Sequence, residues 1–246
     1  MVLPGLRAET PVMLRCLAVA LTLLVASIPR VAAQAAPVDV ALVLAMDVSQ
    51  SVNEGEYDLQ REGVARAFES PALAAAVANG KFHAIDVLVL EWSDPEIQIS
   101  TVPWTRVGDA QSARAFAAKL RATKRSSRGL TAIGSALLAA RAAFQALEDQ
   151  PARRVIDVSG DGMANVGPHP SEVRDELTAE GITINGLTIV SDEPWVSQYY
   201  DMNVVGGPGA FLMEVNGYPT FAAAMQQKLI SEIVALPPPL QRAIPG

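Results

Sequence analysis

Asp47, Ser49 and Ser51 stand at alternate positions in Asp47-Val48-Ser49-Gln50-Ser51, which puts three oxygen-bearing side chains within five residues. In an extended strand such side chains lie ~6.5–7 Å apart on one face. That is too far for one cation, whose oxygen ligands sit at ~2.0–2.6 Å. If the three are to share an ion, the chain must leave the strand after Asp47 and curl. A second carboxylate, Asp161, lies between two glycines in Gly160-Asp161-Gly162, where glycine permits close approach of other groups. Between the two, Gly129-Leu130-Thr131-Ala132-Ile133-Gly134 opens an alanine-rich segment, with the Thr131 hydroxyl at its start. Two carboxylates and three hydroxyls, with no His or Cys, suit Mg²⁺ (or Mn²⁺, Ca²⁺) better than zinc or copper. Asp and Ser are also common in loops at sheet ends, so the weight rests on the five together.

The elements that must position these residues follow from hydrophobic patterning. Residues 38–46 are an apolar, β-branched run, as expected of a strand covered on both faces; residues 154–159 read as another buried strand and 182–190 as the next. Residues 82–92 read as a further strand. Residues 96–104 alternate apolar and polar, as an antiparallel edge strand would, after a turn at Asp94-Pro95. A last strand is expected over 210–215. Helical spacing appears over 53–69, 71–78, 109–122, 132–147, 171–180 (capped by Ser171), 195–202 and 221–234. Alternation of this kind predicts an α/β fold: a doubly wound, mostly parallel sheet with one antiparallel edge strand and helices on both faces. In such sheets ligands bind beyond the carboxyl ends of the strands, where Asp47 and Asp161 both fall.

This set of residues resembles the metal-ion-dependent adhesion site (MIDAS) of von Willebrand factor type A (vWA) domains. The family pattern is Asp-x-Ser-x-Ser after the first strand, a Thr before a central helix and an Asp-Gly after the fourth strand. Here it falls on Asp47, Ser49, Ser51, Thr131, Asp161 and Gly162. The likeness covers residues 38–235. It implies a Rossmann-like fold and direct coordination by Ser49, Ser51 and Thr131, with Asp47 or Asp161 partly acting through water. It also implies an open position for a carboxylate of a protein ligand. Ile184-Asn185-Gly186-Leu187, Tyr199-Tyr200 and the 206–211 segment further resemble a bacterial secreted branch of that family, which names no ligand.

Residues 14–29 form an apolar run behind Arg15, and small residues follow at 30–36. Residues 1–35 therefore read as a signal peptide, and a periplasmic or secreted location follows. The single cysteine, Cys16, lies inside it. Residues 236–246, after a Pro-Pro-Pro stop, read as a disordered tail. Loss of Arg7, Arg15, Arg30 and Glu9 with the leader takes the net charge from -7 to -9. A chain this acidic suits neither nucleic acid nor an anionic membrane, and no other stretch is long enough to span a bilayer.

The expected function is a non-enzymatic, cation-dependent protein-binding module, its partner an unidentified protein that offers an acidic side chain. The ligand rim would include Arg128 from the basic run 124–128, with Trp195 and Tyr199. The alternatives are a solvated loop for the run and core packing for the aromatics. His169, between two prolines, reads as a surface loop residue rather than a general base, and His83 as a structural residue at a strand start. The rival functions are a phosphatase-like metal-dependent hydrolase using Asp47 and Asp161, and a metal-free scaffold. A haloacid-dehalogenase-type phosphatase wants a carboxylate where Ser49 stands.

Overall fold

The computed structural model describes residues 36–190, 195–217 and 220–234. The expected signal peptide, with Cys16, and the expected tail lie outside them. The elements are β1 (Pro37–Asp47), α1 (Glu54–Glu69), α2 (Pro71–Ala78), β2 (Ile85–Trp92), β3 (Gln98–Val107), α3 (Ala110–Arg121) and α4 (Ile133–Gln145). They continue with β4 (Gln150–Gly160), α5 (Pro170–Ala179), β5 (Ile182–Val190), α6 (Val196–Asn203), β6 (Leu212–Asn216) and α7 (Phe221–Val234).

Among the described residues, six strands form one sheet in the order β3-β2-β1-β4-β5-β6. β3 runs antiparallel to β2 at one edge, and the other pairings are parallel. This is the doubly wound fold that the patterning predicts. β1 is central because its side chains are covered on both faces. Val40, Leu42, Leu44 and Met46 pack with Tyr57, Phe68, Phe116, Phe221 and Leu229. Ala41, Val43 and Ala45 pack with Ile133, Leu137, Ile156 and Tyr200 on the other face. The alternation follows from the two-residue period of a strand.

The chain winds from β1 toward β2 on one side, and β4 lies on the other. The crevice where the winding reverses therefore opens between the carboxyl ends of β1 and β4, the usual ligand position in such sheets. Register brings the two ends level: Met46 pairs with Ser159, so Asp47 and Gly160 leave the sheet together.

Several boundaries differ from the sequence reading. β2 starts at Ile85 rather than residue 82, because the Asp39 carboxylate accepts the Phe82 N–H and His83 turns into the left-handed region at φ 54°. β4 starts at Gln150, four residues early, since its foot pairs with Pro37. Ser171 does not cap α5. That helix starts at Pro170 behind His169, with no side-chain cap, and the Ser171 hydroxyl meets His169 Nδ1 at 2.8 Å instead. Proline at the first helical position supplies a preset φ.

Candidate metal centre

The expected curl after β1 is present, and its cause is local. Asp47 Oδ1 accepts the Ser49 N–H at 2.7 Å. This side-chain-to-backbone bond bends the chain within two residues. Val48 N still bonds Trp92 O, Gln50 N bonds Gly129 O, and Val52 N returns to Ser49 O. The loop thus folds over the sheet end instead of extending it.

The curl brings the hydroxyls together. Ser49 Oγ and Ser51 Oγ lie 3.0 Å apart, and Ser51 Oγ donates to Asp161 Oδ1 at 2.7 Å. Asp47, Ser49, Ser51 and Asp161 are thereby joined in one chain of contacts, although Ser51 and Asp161 are 110 residues apart. Thr131 is buried and joins through its backbone. Its N–H donates to Asn165 Oδ1 at 2.9 Å, and Asn165 N–H donates to Thr131 O at 3.0 Å. Asn165 therefore clamps the Thr131 loop to the loop carrying Asp161. Sequence reasoning missed Asn165, since an Asn in a glycine-bounded loop carries no distinguishing signal. α4 begins after Ala132 with no side-chain cap, so the Thr131 hydroxyl is not used as the helix cap.

The electrostatics are those of a buried acid, Asp47, beside a partly exposed one, Asp161. Burial first, and then the charge of Asp161, push the Asp47 carboxyl up to about 7, against the hydrogen bonds from Ser49 and the charge of Arg125. Among the described residues, Asp47 Oδ2 and the Tyr200 hydroxyl are fully buried without a hydrogen-bond partner. No cluster of three or more His, Cys, Asp or Glu side chains there could hold a metal. A cation at this site would thus depend on the hydroxyls as much as on the two carboxylates.

The basic run splits in two. The Arg128 side chain is 61% exposed and pairs with Glu54 at the start of α1. The Arg125 side chain is only 6% exposed. Its guanidinium donates to Val48 O at 3.0 Å, Ser49 O at 2.8 Å and Ser127 O at 2.8 Å, and it meets Glu54 at 3.2 Å. The solvated-loop reading therefore fails for Arg125, which pins the loop between β1 and α1 from below. Glu91 extends the scaffold, accepting from Tyr57 Oη and Ser126 N, both at 2.8 Å.

Replacing Arg125 with Met should leave those carbonyls without their charged donor and cost about 2–3 kcal/mol. Urea unfolding measures this, and a loss under about 0.5 kcal/mol would mean that the loop holds itself.

The aromatic segment also divides. Trp195 is 52% exposed ahead of α6, Tyr199 is half-buried and Tyr200 is fully buried. Core packing is thus right for Tyr200 and wrong for Trp195. Leu130 and Met163, beside Thr131 and Asp161 in sequence, are also exposed.

A family profile described as "Protein of unknown function (DUF1194)" matches residues 37–237. No curated protein matches the sequence. Among solved structures, the chain is similar to proximal thread matrix protein 1 of the mussel byssus in a form with a zinc-occupied MIDAS motif. That match has a TM-score of 0.62 and 17% identity, over 82% of this chain and 49% of the mussel protein. It is also similar to the pilus adhesin SpaC of Lactobacillus rhamnosus GG, with a TM-score of 0.58 and 15% identity, over 81% of this chain and 31% of SpaC. A von Willebrand factor type A protein from Catenulispora acidiphila matches with a TM-score of 0.56 and 14% identity, over 80% of this chain and 43% of that one. The likeness is one of fold, the vWA-type α/β fold. The chain spans about half the length of the mussel protein and under a third of SpaC.

Proposed function

We propose that this chain, which belongs to the DUF1194 family, is a divalent-cation-dependent, adhesion-type protein-binding module that works outside the cytoplasm. The observation that carries the reading is the buried Asp47 Oδ2, without a protein partner beside the linked Ser49, Ser51 and Asp161 oxygens. Burying a carboxylate oxygen unpaired is costly, and a cation would relieve that cost. The donors are hard oxygens, which fit Mg²⁺, Mn²⁺ or Ca²⁺.

Asp47, Ser49, Ser51, Thr131 and Asp161 would hold the cation. When bound, it supplies an electrophilic centre whose open position a carboxylate of the partner can complete. The protein's own part is to hold the oxygens in place: Asp47 curls the loop, Arg125 fixes its carbonyls and Asn165 ties Thr131 to the Asp161 loop. Arg128, Trp195 and Tyr199 would form the rim that selects the partner.

The fold neighbours support an adhesion-type reading, since one is a byssal matrix protein and another a pilus adhesin. An extracytoplasmic location, periplasmic or secreted, rests on the sequence of residues 1–35. Among the described residues no helix is long and apolar enough to cross a membrane. The hydrolase alternative gains nothing from the site: Ser49 stands where a second carboxylate would be needed, and His169 is engaged with Ser171.

Titration calorimetry with Mg²⁺ and Mn²⁺ should give saturable heat that Asp47→Ala abolishes. Absence of heat with either ion or with Ca²⁺ at millimolar concentration would leave only the metal-free scaffold. Capture of envelope proteins with and without chelator would then seek the partner.

A further inference from the structure

We infer that Tyr200 belongs to the cation site as a positioning residue, its hydroxyl acting on the second oxygen of the Asp47 carboxylate. This rests on the cation-site reading above and goes beyond its five ligands.

The geometry comes from two glycines. A Cβ placed on Gly160, at the end of β4, would lie 2.5 Å from Tyr200 Oη and 2.9 Å from Asp47 Oδ2. The two oxygens therefore converge on one small space that exists because residue 160 has no side chain. A Cβ on Gly186 of the neighbouring β5 would lie 3.3 Å from Tyr200 Cδ1, so a second glycine leaves room for the ring. At the backbone, the Tyr200 carbonyl accepts from both Val204 N and Val205 N, which anchors the residue at the end of α6.

Both converging groups are fully buried, and neither has a hydrogen-bond partner among the described residues. Buried polar groups are nearly always paired. The two make no direct bond, and a shared water in the gap between them would link them. The phenol is a donor and the ionised carboxylate only an acceptor, so the hydroxyl donates. Asp47 would then be held on Oδ1 by the Ser49 N–H and steadied on Oδ2 through that water by Tyr200, which limits rotation of its carboxylate. Groups that hold a ligand this way strongly affect affinity. Among the residue's possible roles, simple core filling needs no hydroxyl, and phenylalanine would serve.

The test is Tyr200→Phe, which removes the hydroxyl and keeps the ring. Its Mg²⁺ affinity by calorimetry should fall about 10–100-fold, while the melting temperature in chelator stays at or above wild type. Tyrosine-sensitised Tb³⁺ luminescence, present in wild type, should drop in the same variant. Equal Mg²⁺ affinity in wild type and Tyr200→Phe would overturn this inference and leave the cation site standing. Equal losses of stability with and without Mg²⁺ would also overturn it, because they mark a core role. A wild type that binds no cation would instead refute the reading beneath it.

Discussion

Lys228→Met is expected to lower stability by about 3–5 kcal/mol at neutral pH. Lys228 Nζ, on α7, lies 2.6 Å from Asp157 Oδ1 on β4 and 2.6 Å from Glu232 Oε1 on its own helix. All three side chains are almost completely buried. Asn185 on β5 donates to Glu232 Oε1 at 2.8 Å, and its own Oδ1 accepts the Phe211 N–H. Arg153 adds bonds to the carbonyls of Glu232 and Ile233, at 2.7 and 2.8 Å. The cluster thus ties the last helix to two strands and to the entry of a third. Two acids share one base, so removing the base leaves two buried carboxyls with no cation between them.

The same cluster sets a pH dependence. Burial, reinforced by the Asp157 charge, pushes Glu232 from its ordinary 4.5 up to about 7 despite Lys228 and Asn185. Burial and the neighbouring Asp149 push Asp86 up to about 7 as well. Both groups bind a proton more readily folded than unfolded. Their contribution to stability is therefore full below the unfolded values, near 4, and is lost as pH rises through about 7. In chelator, the melting temperature should climb between pH 7.5 and 5.5, and more steeply in Lys228→Met. A wild-type melting temperature that is flat or falling over that interval would refute the assignment.

Gly160→Ala should damage both fold and site. Its new Cβ would stand under 3 Å from Tyr200 Oη and Asp47 Oδ2, and both side chains are fully buried. Neither can swing into solvent, so the neighbours must shift. Overpacking of this kind costs about 1–3 kcal/mol. Displacing the Asp47 carboxylate should also abolish Mg²⁺ heat in calorimetry. Adding Tyr200→Phe removes one of the two clashing oxygens and should recover part of the lost stability, a coupling of about 0.5–3 kcal/mol. Purely additive losses would mean that the two side chains do not meet at Gly160.

Much of the fold was readable from periodicity. Residues 40–46 are apolar throughout because β1 is covered on both faces, and 96–104 alternate because β3 is an edge strand. Boundaries drifted where the cause was a tertiary partner, such as Asp39 holding the Phe82 turn or Pro37 extending β4. The Lys228 cluster leaves a trace in the sequence. Lys228 and Glu232 fall in the buried stripe of α7 with Phe221, Ala224, Met225 and Leu229. Asp157 and Asn185 likewise interrupt otherwise apolar strands. A charge in an apolar stripe shows that a partner is needed but not which one, because Asp157 and Asn185 come from distant parts of the chain.

The five oxygen-bearing residues and their order along the chain were determined by sequence alone, since donor chemistry belongs to the side chain and their positions after a strand or before a helix follow from local patterning. Tertiary structure alone decided that Arg125 turns inward, that Asn165 joins two loops and that Tyr200 faces Asp47 across Gly160. Those contacts depend on strand register and helix docking, which place atoms to within an ångström and leave no periodic mark in the sequence.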